Sequence, residues 1–261
     1  MLRNTAIALA CGAMVTGSSA SAQTMKPDTP AAAASTSAPV ADRVFIYVNG
    51  GYQAGSNDFS RTVTFKVYAE DGSFLTNYSV KSAPVFDAGG GLRLWKGLAV
   101  GIGVSRYNKS GSGDVKAQVP HPFFFNQMRE VDGTAGGLTR EETALHLQVL
   151  YMVPVGRIAL AFFGGPSFFS IKQTLVSAVS YNESYPYDTA TFATATTEGA
   201  SKSVTGFNAG VDVAYMFARN IGVGGGVRYA RASTTLTSGS AGDVTMHVGG
   251  AQVGAGLRVR F

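Results

Sequence analysis

From Val44 to the C-terminal Phe261 the chain keeps returning to one pattern, apolar residues at every second position over stretches of about ten residues. A period of two belongs to a strand with one apolar face, and about ten residues is what a tilted strand needs to cross a bilayer. Eight such segments stand out, beginning at Val44, Phe86, Leu98, Ala144, Ile158, Gly206, Ile221 and Val248. The last ends the chain with Val253, Ala255, Leu257, Val259 and Phe261 on one face, and Gln252, Gly254, Gly256, Arg258 and Arg260 on the other.

Which face meets which medium follows from the second set. A soluble sandwich also alternates, but its polar face meets water. Here the face opposite the apolar one is mostly glycine with a few arginines and aspartates, which describes a crowded interior. The chain holds 33 glycines and is only 14% charged, where a soluble domain averages about 25%. Beyond the N-terminus it has no apolar run of the ~18 residues a helical span needs. The apolar face is therefore assigned to lipid and the glycine face to a lumen. A one-residue slip would put arginine into lipid at roughly 2–4 kcal/mol. The lumen then receives Asp87, Arg93, His146, Gln148, Asp212, Arg228, Arg258 and Arg260. Asp212 and Arg228 lie about equally far from the turn at 218–220, so a cross-strand ion pair between them is expected. The fifth segment, "IALAFFGGPSFF", is apolar or small on both faces and leaves its orientation open.

The connections alternate in length. Lys96-Gly97, 154–157 and 218–220 are short, whereas 53–84, 108–142, 172–204 and 233–246 are long. Within the first long one, "TVTFKVYAEDGSFLTNYSV" predicts a hairpin above the membrane, turning at Glu70-Asp71-Gly72-Ser73. Two further spanning strands are the alternative, and they fit worse because no second turn precedes Pro84. The expected fold is all-β: an eight-stranded antiparallel up-and-down transmembrane β-barrel, residues 43–261, with long extracellular loops and short periplasmic turns.

Ahead of it, residues 1–22 have the layout of a secretory signal peptide, with Arg3, a short apolar core and Ala20-Ser21-Ala22 as the cleavage site. Cys11 is poorly flanked for lipid attachment. Residues 23–42 form a flexible Ala/Ser/Pro-rich periplasmic tether. The mature N-terminus is then periplasmic, and the mature chain carries no cysteine. Loss of Arg3 lowers the net charge of +5 by one, which argues for no nucleic-acid partner in an exported chain.

An export signal, alternating short and long connections and a terminal strand ending "GLRVRF" resemble the small outer-membrane β-barrel proteins, including the outer-membrane protein A-like transmembrane domain and the opacity-type porin family. The resemblance implies location in the outer membrane of a Gram-negative bacterium. It also implies that Leu257, Val259 and Phe261 form the signal read by the barrel-assembly machinery. Outer-membrane lipids, lipopolysaccharide among them, are the expected surroundings, and the chain is expected to be a monomer.

For chemistry the signals are sparse. Eight strands enclose an interior that side chains can fill, so the polar lumenal residues are expected to form a static plug. A narrow channel for small solutes is the alternative. A lipid-modifying barrel enzyme would need a histidine with a serine or acidic partner near the outer rim. His146 has no serine at a matching position on its own strand, and His121 sits in "VPHPFFFNQ". No enzyme activity, metal or cofactor is expected. The loops remain as a contact surface through Phe123, Phe124, Phe125, Tyr181, Tyr185 and Tyr187, with the phenylalanines expected to pack against the barrel rim. The extracellular ligand is not named by the sequence.

Overall fold

The computed structural model describes residues 43–54, 58–79, 81–237 and 243–261. The expected signal peptide and tether lie outside the described residues. Ten strands follow in order: β1 (Val44–Gln53), β2 (Phe59–Val67), β3 (Glu70–Tyr78), β4 (Ala83–Trp95), β5 (Leu98–Pro120), β6 (Met128–Val155), β7 (Ile158–Glu183), β8 (Ala190–Met216), β9 (Ile221–Thr237) and β10 (Asp243–Arg260). Eight of them, β1 and β4–β10, pair antiparallel in a closed ring, and β2–β3 stand outside it as a hairpin. The ring closes where the two ends of the barrel meet. β1 pairs with β10 from Phe45↔Arg260 to Gln53↔Gln252, and the Phe261 amide donates to the Val44 carbonyl at 2.9 Å. Closure leaves no strand edge in the spanning region, which lipid demands because it cannot hydrogen-bond a free backbone.

Side-chain exposure follows the expected alternation. Phe86, Leu92, Leu98, Val100, Ile102, Leu147, Val149, Tyr151, Val213, Val223, Val253 and Leu257 point outward, while Asp87, His146, Gln148, Arg228 and Arg258 are buried inside. β7 settles its ambiguity with Ile158, Phe162 and Phe168 outward and Ala159, Ala161 and Ser167 inward.

The outward face changes character part-way up. On β5 it reads Leu98, Val100, Ile102, Val104, and then, on the same face, Arg106, Asn108, Ser110, Ser112, Asp114, Lys116 and Gln118. On β6 Leu145 gives way to Thr143, and the pairing Val104↔Leu145 and Arg106↔Thr143 puts the two changes level. On β7 Phe168 gives way to Ser170, opposite Thr143. The inward face changes the other way. Above this line it carries Phe74, Val115, Val119, Val131, Leu138, Leu175, Val176 and Met246, packed into one apolar core. The lower part is thus apolar outside and polar inside, and the upper part, here the crown, has the packing of a soluble domain.

The stretches expected as long loops are therefore strands for most of their length. β6 alone has 28 residues, against about ten for a crossing. Their sequence keeps the period of two, but the polarity of its faces is reversed. The hairpin β2–β3 belongs to the crown, with β3 pairing the upper part of β5 from Ser73↔Gln118 to Tyr78↔Gly113. Its turn is Tyr68-Ala69, both at positive φ (52° and 63°), not the expected Glu70–Ser73. Two positive-φ residues make the twist-matched two-residue turn of a hairpin, and Glu70 and Gly72 are left facing inward.

Arginine on the outward face should discriminate the two zones on one strand. Ile102→Arg is expected to destabilise the barrel by about 2–4 kcal/mol, and Gln118→Arg to change stability by under about 0.5 kcal/mol. Urea titration of the barrel refolded into vesicles reads both, and equal effects would remove the boundary.

Candidate functional site

The lower lumen is filled in layers. Nearest the short turns, Phe45, Ala99, Leu150, Met152, Ala161 and Phe163 form an apolar floor, with Arg93 placed 3.9 Å from the Met152 sulfur. Arg260 is half-buried at the end of β10, and its backbone is held by Asn220.

Above the floor lie two ion pairs. The Arg228 guanidinium donates to Asp87 at 2.7 Å and to the Tyr47 hydroxyl at 3.2 Å, and lies over the Phe163 ring. Arg258 donates to both oxygens of Asp212 and, at 2.6 Å, to the Asn49 amide oxygen. Asn49 in turn donates to Asp87 at 3.2 Å, so one neutral amide joins the two pairs. The expected Asp212–Arg228 pair does not form. Asp212 faces Gly226 and Arg228 faces Gly210 across the β8–β9 ladder, and each long arginine reaches further round the barrel. Gly224 makes room for this arrangement: a β-carbon there would stand 2.8 Å from the Val213 carbonyl oxygen and 3.0 Å from Arg258 Nε. A cavity of about 80 Å³ lies within this layer.

The next layer is neutral. His146, fully buried, has Nε2 2.9 Å from Ser105 Oγ and Nδ1 2.7 Å from Ser167 Oγ. Asn208 donates to Ser167 Oγ at 2.8 Å and accepts from Gln148 at 3.1 Å. The serines absent from the strand of His146 come from its two neighbours, an arrangement that strand spacing alone does not reveal. Both ring nitrogens are engaged and nothing reaches them from solvent, so the layer is built for satisfaction of buried polar groups. Above it, Gln252 donates to Gln53, Gln53 donates to Glu142, and Glu142 accepts from Arg140 at 2.6 Å. The apolar crown closes the column. Tyr47, Asn49, Gln53, Ser105 and Ser167 are lumenal participants that sequence reasoning did not name, although the alternation of β5 puts Ser105 inward as that of β8 puts Asn208.

At the far end, two short loops and the hairpin turn make a single tip. The His121 ring accepts from the amides of Phe123 and Phe124 at 3.1 and 3.2 Å. Glu70 accepts from the Asn126 amide at 2.8 Å. Arg129 donates to the carbonyls of Pro120 and Tyr187, which ties the β5–β6 loop to the β7–β8 loop. On this frame Phe123, Phe124, Phe125 and Tyr185 are exposed, Phe125 by 75% and Tyr185 by 82%. This corrects the expected packing against the rim, because the loop stands at the top of a tall crown with no rim within reach. Tyr187 stacks edge-on against Phe123, and Tyr181 instead packs against the crown core. Tyr68 in the hairpin turn donates to Glu183, which also pairs with Arg129 at 2.7 Å. The hydrogen bond to Glu183 pushes the Tyr68 phenol up to about 12. Burial alone would raise the Glu183 carboxyl, but bonds from Tyr68 and Arg129, with the Arg129 charge, hold it below its ordinary value.

No protein-family model matches the chain, and no curated protein matches it. Among solved structures it is similar to Neisserial surface protein A, at 11% identity over 84% of this chain and 97% of that one, with a TM-score of 0.43. It is similar to the outer membrane protein OprG from Pseudomonas aeruginosa, at 11% identity over 84% and 96%, with a TM-score of 0.48. It is also similar to the outer membrane protease OmpT from Escherichia coli, at 10% identity over 84% and 97%, with a TM-score of 0.42.

Two measurements probe these contacts. Arg228→Met strands Asp87 in the lumen and is expected to cost about 3–5 kcal/mol in urea unfolding, much of which the added Asp87→Asn restores. No recovery in the double variant would deny the pairing. At the tip, the clasp on Glu183 holds above the lowered carboxyl pKa and is lost as pH falls through it; at the alkaline end it is lost as Tyr68 ionises near about 12. Amide exchange in β2–β3, corrected for intrinsic rates, should therefore quicken in strong acid. Tyr68→Phe should be quick already at neutral pH, and identical profiles would remove the clasp.

Proposed function

We propose that this chain is an integral outer-membrane protein that acts as a surface-interaction barrel, working through its crown while the lumen stays shut. An eight-stranded ring with an apolar outer band is the architecture of outer-membrane barrels. Its filled interior supports a structural role for the part in lipid. The observation that carries the reading is the tip. Large aromatic side chains stand exposed at the point farthest from the membrane, on a scaffold held by at least five hydrogen bonds among three chain segments. Exposed aromatic clusters mark contact surfaces, and a pre-ordered scaffold lowers the entropy lost on contact.

Arg106, Lys172 and Arg231 stand outward just above the apolar band, at the height of lipid headgroups. That belt suits the phosphates of outer-leaflet lipids such as lipopolysaccharide. Leu257, Val259 and Phe261 on the lipid side of β10 are the proposed contact for the barrel-assembly machinery. His146, saturated and buried, supports a non-enzymatic reading. A narrow channel is the second reading, and the cavity beside the ion pairs is what favours it.

Two assays separate the readings. In a planar bilayer the refolded protein is expected to be silent, and Arg228→Ala to remain so because the crown core still seals the column. Steady conductance of the unaltered protein would replace this reading with the channel. Cells displaying Phe123→Ser/Phe124→Ser/Phe125→Ser are expected to lose cell-to-cell and cell-to-surface adhesion by roughly tenfold, in line with the weight of a few aromatic anchors. Undiminished adhesion would deny the tip its role.

A further inference from the structure

Among the described residues the wall of the barrel has a gap. The β4–β5 ladder stops at Val85↔Tyr107 and the β3–β5 ladder starts at Tyr78↔Gly113. Among the described residues no strand pairs with 108–112 of β5 on that side. The Tyr107 hydroxyl donates to the Lys81 carbonyl at 2.8 Å and pins the linker between β3 and β4 beside the gap. Behind it lies a cavity of about 860 Å³, lined by this strand edge and by the inward-facing Leu138, Arg140 and Gln173. It stands above the apolar band, since Arg106, the first polar residue of the outward face, precedes the gap.

The chemistry of the walls is specific. Phe59 and Tyr78 stack face to face, with centroids 4.5 Å apart and planes 8° apart, and both line the cavity. Gln173, only 4% exposed, has an Oε1 with no hydrogen-bond partner. A buried acceptor left unpaired costs free energy, which a ligand donor would recover. The guanidinium of Arg140 is already engaged by Glu142, Met246 and the His247 carbonyl, so it offers no open site to an anion. Lys109 and Asp114 put both signs on the rim. The remaining lining is rich in hydroxyls and strand-edge backbone, each able to donate or accept.

An aromatic slab, balanced charge, many two-way hydrogen-bonding groups and one unsatisfied acceptor suit a ligand with apolar C–H faces and a rim of hydroxyls. We propose that this gap is a binding site for a neutral saccharide of two or three rings, a size that the cavity volume accommodates. The site is separate from the aromatic tip. The sugar chemistry could come from a free glycan or from the glycan of an outer-leaflet glycolipid, whose sugars lie at this height.

Saturation-transfer NMR and calorimetry on the full mature barrel, refolded in micelles, test this with chitotriose, maltotriose and a deacylated, dephosphorylated lipopolysaccharide core glycan. At least one is expected to bind, and Gln173→Leu and Phe59→Ala are each expected to weaken it at least fivefold. Heat-modifiable gel mobility checks that both variants remain folded. The triple phenylalanine variant of the tip should bind as the unaltered protein does, so failure here and failure of the tip reading are separable. Tighter binding of the intact glycolipid that is still sensitive to Gln173→Leu assigns the source to the membrane, and equal binding assigns it to free glycan. No binding of any probe, or binding indifferent to Gln173→Leu, overturns the proposal.

Discussion

A peptide group in hydrocarbon has no water to turn to, so each amide and carbonyl of a spanning segment must find a partner in the protein. For this chain the requirement converges on the seam between β1 and β10, where the first and last strands pair over nine positions. Without the seam, eight alternating strands would be an open sheet with two unsatisfied edges in lipid. With it, every other property of the lower barrel follows. The period of two becomes an inside and an outside, the outside must be apolar, and the inside must satisfy its own polar groups in a space barely wider than its side chains.

The contents of that space show how such satisfaction is reached with little net charge. Two aspartates face two arginines, and the amide of Asn49, able to donate at one end and accept at the other, links them into one network. The serines around His146 and the glutamine–glutamate–arginine chain above repeat the logic at higher levels. Each charge lost from this column leaves its partner buried, which is why a filled lumen is intolerant of single changes even where it has no catalytic task.

Much of the barrel could be read from the alternation alone. The strand count, the lipid face and the inward placement of Asp87, His146, Gln148, Asp212, Arg228 and Arg258 all rest on a period that sequence displays directly. The partners could not be read that way. An arginine side chain spans a large part of a narrow lumen, so ladder neighbours do not decide whom Arg228 meets. Asn49 and Tyr47 sit in "VFIYVNGGY", where the inward set includes Phe45 and gives no polar contrast. The crown reads as loops because the period continues there with its polarity reversed, and the exposed tip depends on Glu70 and Arg129 contacts between segments far apart in the chain.

The reversal of polarity has a consequence for which strands meet in the crown. Of the side chains that core the crown, Val115 stands between Asp114 and Lys116, and Val131 between Glu130 and Asp132. Those segments cannot rest in lipid, so their apolar faces pack only where the wall rises clear of it. β5–β6 and β7–β8 pair from the lower barrel up into the crown, so the wall that lipid requires also decides which strands meet above it. The crown is in this sense a soluble core whose neighbours are chosen by a membrane ring.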